Sequence, residues 1–219
     1  MHDPLDEFDV RVLGSLIEKE FTTPDNYPLT LKALTAACNQ TSNRDPVMAL
    51  DEATVQRSLD ALAHLGLARG VHRGDARVMR YRQEIGEKLH LHRPELAILS
   101  VLMVRGAQTV GELKTRTARL AEFVDLTHVE LTLESLAALS TPLVTQLPRR
   151  PGQKEARYAH LLAGPPQGNA RDGTQTSGEW VPRDPPGDRV DQLERELDSL
   201  RDEVAELRAQ FDAFRGQFE

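Results

Sequence analysis

The side chains best suited to chemistry or ligand binding are concentrated in one polar stretch, residues 38–48, between two predicted helices. Amide, hydroxyl, guanidinium and carboxylate groups follow one another there and supply many hydrogen-bond donors and acceptors. In helix-turn-helix folds such a turn orients the second helix. Two roles stay open: the side chains contact a ligand, or they hold the turn in place by capping backbone groups and pairing its arginine. We call this set the polar turn: Asn39, Gln40, Ser42, Asn43, Arg44 and Asp45.

Catalytic and cofactor motifs are not found in the rest of the sequence. Cys38 is the only cysteine and ends a short apolar helix, so we expect a core residue rather than a nucleophile or a zinc ligand. None of the seven histidines forms a His-x-x-x-His pair. Gly106 and Gly111 have phosphate-loop spacing, but Glu112 and Leu113 stand where that loop needs Lys and Ser or Thr. We therefore predict a protein without catalytic activity, bound metal or cofactor.

The composition is that of an ordinary folded protein. Hydrophobic residues make up 39% and charged residues 28% of the 219 positions. The net charge of -7 argues against non-specific coating of nucleic acid, although it is compatible with a local basic patch. The N-terminus is acidic, and no apolar run approaches the roughly 18 residues that cross a bilayer. These features predict a cytoplasmic protein without membrane contact.

Apolar periodicity and capping residues predict three helices and a hairpin in the first part of the chain, which is the order of a winged helix. Apolar residues at helical spacing place helix one over 5–21, and a short second helix follows. Asp51 is positioned to cap the third helix. Residues 67–83 predict a hairpin that turns near Gly74 and Asp75. The core stripe of the third helix is Val55, Leu59 and Leu62.

The same order of elements returns in the second part of the chain. We predict a helix over 94–105, Thr-x-x-Glu capping boxes at Thr109 and Thr127, and a second hairpin over 143–162. The stripe of the last helix repeats that of the first copy 74 positions later, which indicates an internal duplication. This stripe is Val129, Leu133 and Leu136.

The predicted fold is mainly α with small β-hairpins: tandem winged-helix domains over 1–84 and 85–163, followed by a C-terminal heptad helix. Residues 164–188 are rich in Gly and Pro and predict a flexible linker. Residues 189–219 carry a heptad seam, with opposite charges at three of four interhelical g–e pairs, and predict a homodimer through a parallel coil. Folding back onto the winged helices, or pairing with a partner helix, is the alternative. The seam residues are Val190, Leu193, Leu197, Leu200, Val204, Leu207, Phe211 and Phe214.

Binding to double-stranded DNA is the leading functional prediction, because winged helices commonly place helix three in the major groove and the wing against phosphate. Gln56 and Arg57 are the predicted base readers on helix three. This makes the protein a cytoplasmic transcriptional regulator. The predicted phosphate contacts are the arginine of the polar turn and those of the first hairpin: Arg44, Arg69, Arg73, Arg77, Arg80 and Arg82.

Acidic charge on both third helices favours a different function. In the first winged helix, Asp51, Glu52 and Asp60 give the third helix a net charge of -2. In the second winged helix, the third helix has Glu130 and Glu134 and no lysine or arginine. The alternative is therefore a protein–protein adaptor, similar to small tandem winged-helix subunits that resemble chromosome-condensation accessory proteins. The basic hairpin would then dock an acidic protein partner or the chain's own acidic tail.

Three segments resemble the YceH-like family of uncharacterised bacterial proteins. They are Leu-Ile-Glu-Lys-Glu at 16–20, Thr-Thr-Pro-Asp-Asn-Tyr-Pro-Leu at 22–29, and Ala-Cys-Asn-Gln-Thr-Ser-Asn-Arg-Asp-Pro-Val-Met at 37–48. The resemblance implies duplicated winged helices and a heptad-bearing C-terminal helix. It also implies a retained role for the polar turn. It does not indicate a biochemical activity, and it assigns no site residues.

Overall fold

A computed structural model describes residues 4–72, 78–149 and 155–166. Within these ranges the chain forms seven α-helices and two three-stranded antiparallel sheets. The predicted mainly α fold with small β-hairpins is thereby confirmed. The predicted tip of the first hairpin, residues 150–154 of the second, the linker from residue 167 onward and the heptad seam lie outside the described residues. The domain limits at 84 and 163 stay a prediction.

The first module has the element order of a winged helix. Its elements are α1 (Glu7–Thr22), β1 (Leu29–Thr30), α2 (Leu31–Cys38), α3 (Glu52–His64), β2 (Ala68–Val71) and β3 (Arg80–Gln83). The Asp51 carboxylate accepts a hydrogen bond from the amide of Thr54 at 2.7 Å and caps α3 as predicted. Just beyond α3, Gly66 has a φ of +64°, a conformation that favours glycine.

The first sheet has the strand order β1-β3-β2. The hairpin register pairs Ala68 with Gln83 and Val71 with Arg80, which confirms the predicted hairpin over 67–83. The strand β1 was not predicted, because two residues are too few for an alternating pattern to be visible. It adds Leu29 opposite Tyr81 and joins the loop after α1 to the wing.

The second module repeats this arrangement. A short helix, α4 (Ile85–Leu89), precedes it. The module itself contains α5 (Arg93–Arg105), β4 (Gln108–Thr109), α6 (Val110–Thr117), α7 (Leu126–Ala137), β5 (Val144–Gln146) and β6 (Arg157–His160). Its sheet has the order β4-β6-β5, the same topology as the first. The buried stripe of α7 is Val129, Leu133 and Leu136, as the 74-residue repeat predicts.

Two local predictions for the second module have different outcomes. The capping box at Thr109 is confirmed, since its hydroxyl accepts from the Glu112 amide and the Glu112 carboxylate accepts from the Thr109 amide. The box at Thr127 is wrong. Asp125 caps α7 instead, because its carboxylate accepts a hydrogen bond from the His128 amide at 2.8 Å and the helix begins at Leu126, directly after Asp125.

The two modules pack through α1 and α5, and one apolar core is continuous between them. Gly14 of α1 permits the close approach. A Cβ at this position would lie 2.8 Å from the Cβ of Met103 and 2.9 Å from Cγ1 of Val104. The hydroxyl of Ser100 donates a hydrogen bond to the Gly14 carbonyl at 3.1 Å. This contact sets the position of the polar turn against the second module.

Candidate functional site

The arginine of the polar turn is buried and bound inside the protein. The Nε and Nη2 atoms of Arg44 donate to the Ala37 carbonyl at 3.1 and 2.8 Å, and Nη1 donates to the Glu18 carboxylate at 2.5 Å. Its side chain is 0% exposed. The guanidinium therefore joins α1 to the end of α2, and it is not accessible to phosphate in this structure.

Other groups of the polar turn also bind within the protein. The Asn39 amide donates to the Leu50 carbonyl at 2.7 Å and accepts from the Leu50 amide at 2.8 Å, which closes the loop between α2 and α3. Asn43 adopts a left-handed φ of 62°, which asparagine tolerates, and its side-chain oxygen accepts from Arg105. The backbone amide of Asp45 donates to the Val104 carbonyl at 2.9 Å. The turn is thus attached to α5 of the second module.

A second buried arginine supports the turn, and the sequence reading missed its role. Arg11 of α1 is 1% exposed and donates to the carbonyls of Cys38 and Pro46 at 3.3 and 2.5 Å. Burial lowers the pKa of its guanidinium below the ordinary value, and the nearby charge of Arg44 lowers it further. The only feature of the sequence that could have indicated this burial is the position of the arginine between Val10 and Val12 in an apolar helix.

Cys38 occupies the core position that the sequence predicts. Its side chain is fully buried at the end of α2. Burial raises the pKa of the thiol from 9.0 to about 11, although the Ser15 hydroxyl and two arginines act in the opposite direction. The thiol is therefore neutral near pH 7, whereas a nucleophilic cysteine needs a lowered pKa and access to solvent.

The predicted base readers on α3 are engaged with neighbouring side chains. Gln56 donates to Asp60 at 2.8 Å and accepts from the Tyr81 hydroxyl at 2.9 Å, so both ends of its amide are bound. Arg57 is exposed and donates to the Thr54 hydroxyl at 2.9 Å. Base contact by Gln56 requires these two bonds to break, whereas base contact by Arg57 requires the loss of one exposed hydrogen bond.

The arginines on the two described strands of the wing share one face. Ala68 and Gln83 are buried, so the alternation of side chains places Arg69, Arg80 and Arg82 together on the opposite, outer face. Arg73 and Arg77 lie outside the described residues.

Two of these three arginines have close partners. Arg82 lies 3.0 Å from the Glu84 carboxylate and 2.6 Å from that of Glu87, and Arg80 donates to the Pro28 carbonyl at 2.8 Å. Arg69 is 69% exposed and lies 3.7 Å from Glu84. The basic charge of the described wing is therefore partly neutralised. Arg44 is buried and adds no accessible positive charge, and residues 51–64 carry a net charge of -2.

The solvent face of α7 differs from that of a groove-reading helix. Large apolar side chains are exposed at Leu126 (48%) and Leu131 (59%) of α7, and at Val124 (79%) just before the helix begins. Glu130 and Glu134 are also exposed, and α7 contains no lysine or arginine. By helical spacing each leucine has one of these carboxylates as a neighbour, Glu130 four residues after Leu126 and Glu134 three after Leu131. This surface is apolar and acidic.

The described residues contain no helix that is both long and apolar enough to cross a bilayer. Within the same part of the chain, no three His, Cys, Asp or Glu side chains are grouped so that they could hold a metal ion.

Comparison with known proteins agrees with the resemblance noted from the polar turn. Residues 5–153 match the family described as "Protein of unknown function, DUF480". The chain is 51% identical to a UPF0502 protein of Geobacter metallireducens over 220 residues, covering 100% of both chains. It is 50% identical to a UPF0502 protein of Pelobacter propionicus over 98% of each chain, and 46% identical to one of Janthinobacterium over 96% of this chain and 89% of the relative. With matches of this extent, the chain belongs to the DUF480 family of bacterial proteins, also named UPF0502.

Proposed function

We propose that this protein is a non-enzymatic adaptor whose second winged helix binds a protein segment with apolar side chains set between basic ones. The observation that supports this function is the apolar and acidic solvent face of α7, with Leu126 and Leu131 exposed beside Glu130 and Glu134. A helix in that position would need polar or basic side chains to bind DNA. The carboxylates of α7 repel phosphate, whereas they attract lysine and arginine side chains of a protein partner.

The apolar contribution to such an interface is large. Burying one leucine side chain contributes about 1.5–3 kcal/mol, so losing one exposed leucine should weaken binding roughly tenfold or more. The carboxylates add less binding energy and mainly raise the association rate and its dependence on salt. We therefore expect a partner that depends on Leu131 for affinity and on Glu130 and Glu134 for its salt dependence.

The test is purification of the tagged full-length chain from its own cells after nuclease treatment, followed by calorimetry with the purified partner. We expect one protein at constant stoichiometry, and a Leu131→Ser variant that binds it at least about tenfold more weakly. Ala61, exposed on α3, provides the matched control as Ala61→Ser. If no protein is retained in proportion to the chain, or if Leu131→Ser binds as tightly as the wild type, the adaptor function is rejected.

DNA binding is the second candidate, and the exposed Arg57 and Arg69 favour it. The outer face of the wing adds Arg80 and Arg82, and the sequence predicts Arg73 and Arg77 at its tip. A protein using these side chains against phosphate binds DNA more weakly as salt rises. In a gel-shift titration, binding at low salt that is lost in an Arg57→Ala, Arg69→Ala double variant would support a regulator. Absence of binding at low salt would exclude it.

Self-association through residues 189–219 is a separate proposal that rests on the heptad pattern. A Leu197→Glu, Leu200→Glu variant places charges at one a and one d position of the seam. Light scattering of the full chain should then give twice the chain mass for the wild type and the single chain mass for the variant. Equal masses for the two proteins would contradict a tail-driven dimer.

A further inference from the structure

A cleft of about 630 Å³ opens beside the polar turn and is lined by both modules. The end of α1 and the turn form one side. The second half of α5, together with α6 and the residues that follow it, forms the other. Its volume is within the range of about 300–1,000 Å³ that is typical of sites for small molecules. Its position is distinct from the solvent face of α7.

Cations outnumber carboxylates among the residues that line this cleft. Lys19, Arg105, Arg116 and Arg119 line it, and Glu18 is the single carboxylate among the lining residues. Glu18 is already bound, because Arg44 lies 2.5 Å and Lys19 3.3 Å from its oxygens. The cleft is thus positive within a protein whose net charge is -7.

The cleft stays positive when charged groups just beyond its lining residues are included. Arg44 behind Glu18 brings the cations to five. The carboxylates then number three, since Glu112 lies 3.2 Å from Arg116 and Asp45 is close enough to act on Arg105. Burial lowers the pKa of Arg105 below its ordinary value, with the charge of Arg116 as the second cause. Cations held this close together favour a bound anion, because it relieves their mutual repulsion.

The individual cations have free donor groups for such an anion. Arg119 is exposed and makes no hydrogen bond or ion pair with any described residue. Arg116 uses one nitrogen for Glu112 and is partly exposed. Guanidinium groups recognise phosphate and carboxylate through paired hydrogen bonds, which single point charges cannot supply. Arg105 is held in place by Asn43 of the polar turn, so its orientation is set before any ligand arrives.

The rest of the lining fits a small organic molecule better than an extended polymer. Val101, Val104 and Leu120 are buried and contribute apolar atoms to the lining of the cleft. Gln40 and Ser42 line the cleft on the side of the turn. An apolar lining with a few convergent polar and charged groups is the usual composition of a ligand site.

We propose that this cleft binds a small anion that carries at least two phosphate or carboxylate groups. The ligand contacts α1 and the polar turn of the first module and α5 and α6 of the second, so binding stabilises the junction between them. This assigns a ligand-facing role to Gln40 and Ser42, while Asn39, Asn43 and Arg44 hold the turn in shape.

The test uses the full chain and two probes, pyrophosphate for the phosphate arm and citrate for the carboxylate arm, titrated by calorimetry at low salt. Arg119→Gln removes an unpaired cation from the cleft, and Arg149→Gln removes an exposed arginine outside it as the matched control. We expect at least one probe to bind and to raise the melting temperature. We also expect its Kd to rise about tenfold in Arg119→Gln and to stay unchanged in Arg149→Gln.

The probe that binds identifies the preferred chemistry of the anion. Thermal unfolding of Arg119→Gln without ligand should match the wild type, since the side chain is exposed and unpaired, and this shows that the variant is folded. Binding of neither probe overturns the proposal. Binding that Arg119→Gln and an Arg116→Gln variant leave unchanged also overturns it, because the anion would then lie elsewhere.

Discussion

Replacing Arg44 by alanine tests whether the polar turn is a structural device. The substitution removes a guanidinium with a fully buried side chain, and it leaves the Ala37 carbonyl and the Glu18 carboxylate without their donor. Breaking a buried ion pair by removing one partner costs about 3–5 kcal/mol. Glu18 keeps Lys19 at 3.3 Å and 13% exposure of its side chain, so we expect about 3 kcal/mol, the lower end of that range.

Equilibrium unfolding in urea measures this loss. With a slope of about 2 kcal/mol per molar urea, a loss of about 3 kcal/mol lowers the midpoint by about 1.5 M at unchanged slope. Arg57→Ala removes an exposed arginine of α3 and should change the free energy of unfolding by less than about 0.5 kcal/mol.

A double variant separates the pair from its surroundings. Arg44→Met with Glu18→Gln removes both charges, and it should cost less than the sum of the two single substitutions because no buried charge is left unpaired. An Arg44→Ala midpoint equal to that of the wild type would refute the reasoning. The guanidinium would then be dispensable for folding and available to a ligand.

Three further predictions concern the module contact and two buried titratable groups. Gly14→Ala should destabilise by about 1–3 kcal/mol because its Cβ meets Met103 and Val104 of α5, whereas Gly111→Ala, with open space around its Cβ, should stabilise by up to about 1 kcal/mol; urea unfolding of both variants checks the sign. The Cys38 thiol, with its pKa raised to about 11, should react slowly with a disulfide reagent at pH 8 until urea unfolds the chain, and a reaction as fast in the folded chain as in urea would contradict this. The neutral thiol should favour the folded state fully below pH 9, and this contribution to stability should be lost as the pH rises towards 11. Burial lowers the pKa of His160 from 6.5 to about 4, so the stability associated with its neutral ring should be complete above pH 6.5 and fall as the pH drops towards 4; His160→Gln should reduce that dependence in unfolding curves collected across this interval.

Local patterns predicted six of the seven helices in the described residues, and the five-residue α4 was not predicted because it is too short for a 3.6-residue period to be visible. The 3.6-residue period, the carboxylate of Asp51 and the capping box at Thr109 all act within about one helical turn, so they are legible in sequence. The prediction at Thr127 failed because the carboxylate of Asp125, two residues earlier, caps α7. The strands β1 and β4 have two residues each and exist only because a partner strand is placed beside them.

The 74-residue repeat and the order of helices and hairpins are properties of the sequence alone, and they determined that this protein is built from two winged helices. The contacts of the polar turn were decided only by tertiary structure, because its partners are distant along the chain. Glu18 is 26 residues from Arg44, and Arg105 is 62 residues from Asn43. The cleft beside the turn has the same origin: its cations come from α1, α5, α6 and the residues after α6, and packing between these elements places them together. Local sequence signals extend over one turn of helix, whereas contacts between elements depend on how the whole core packs.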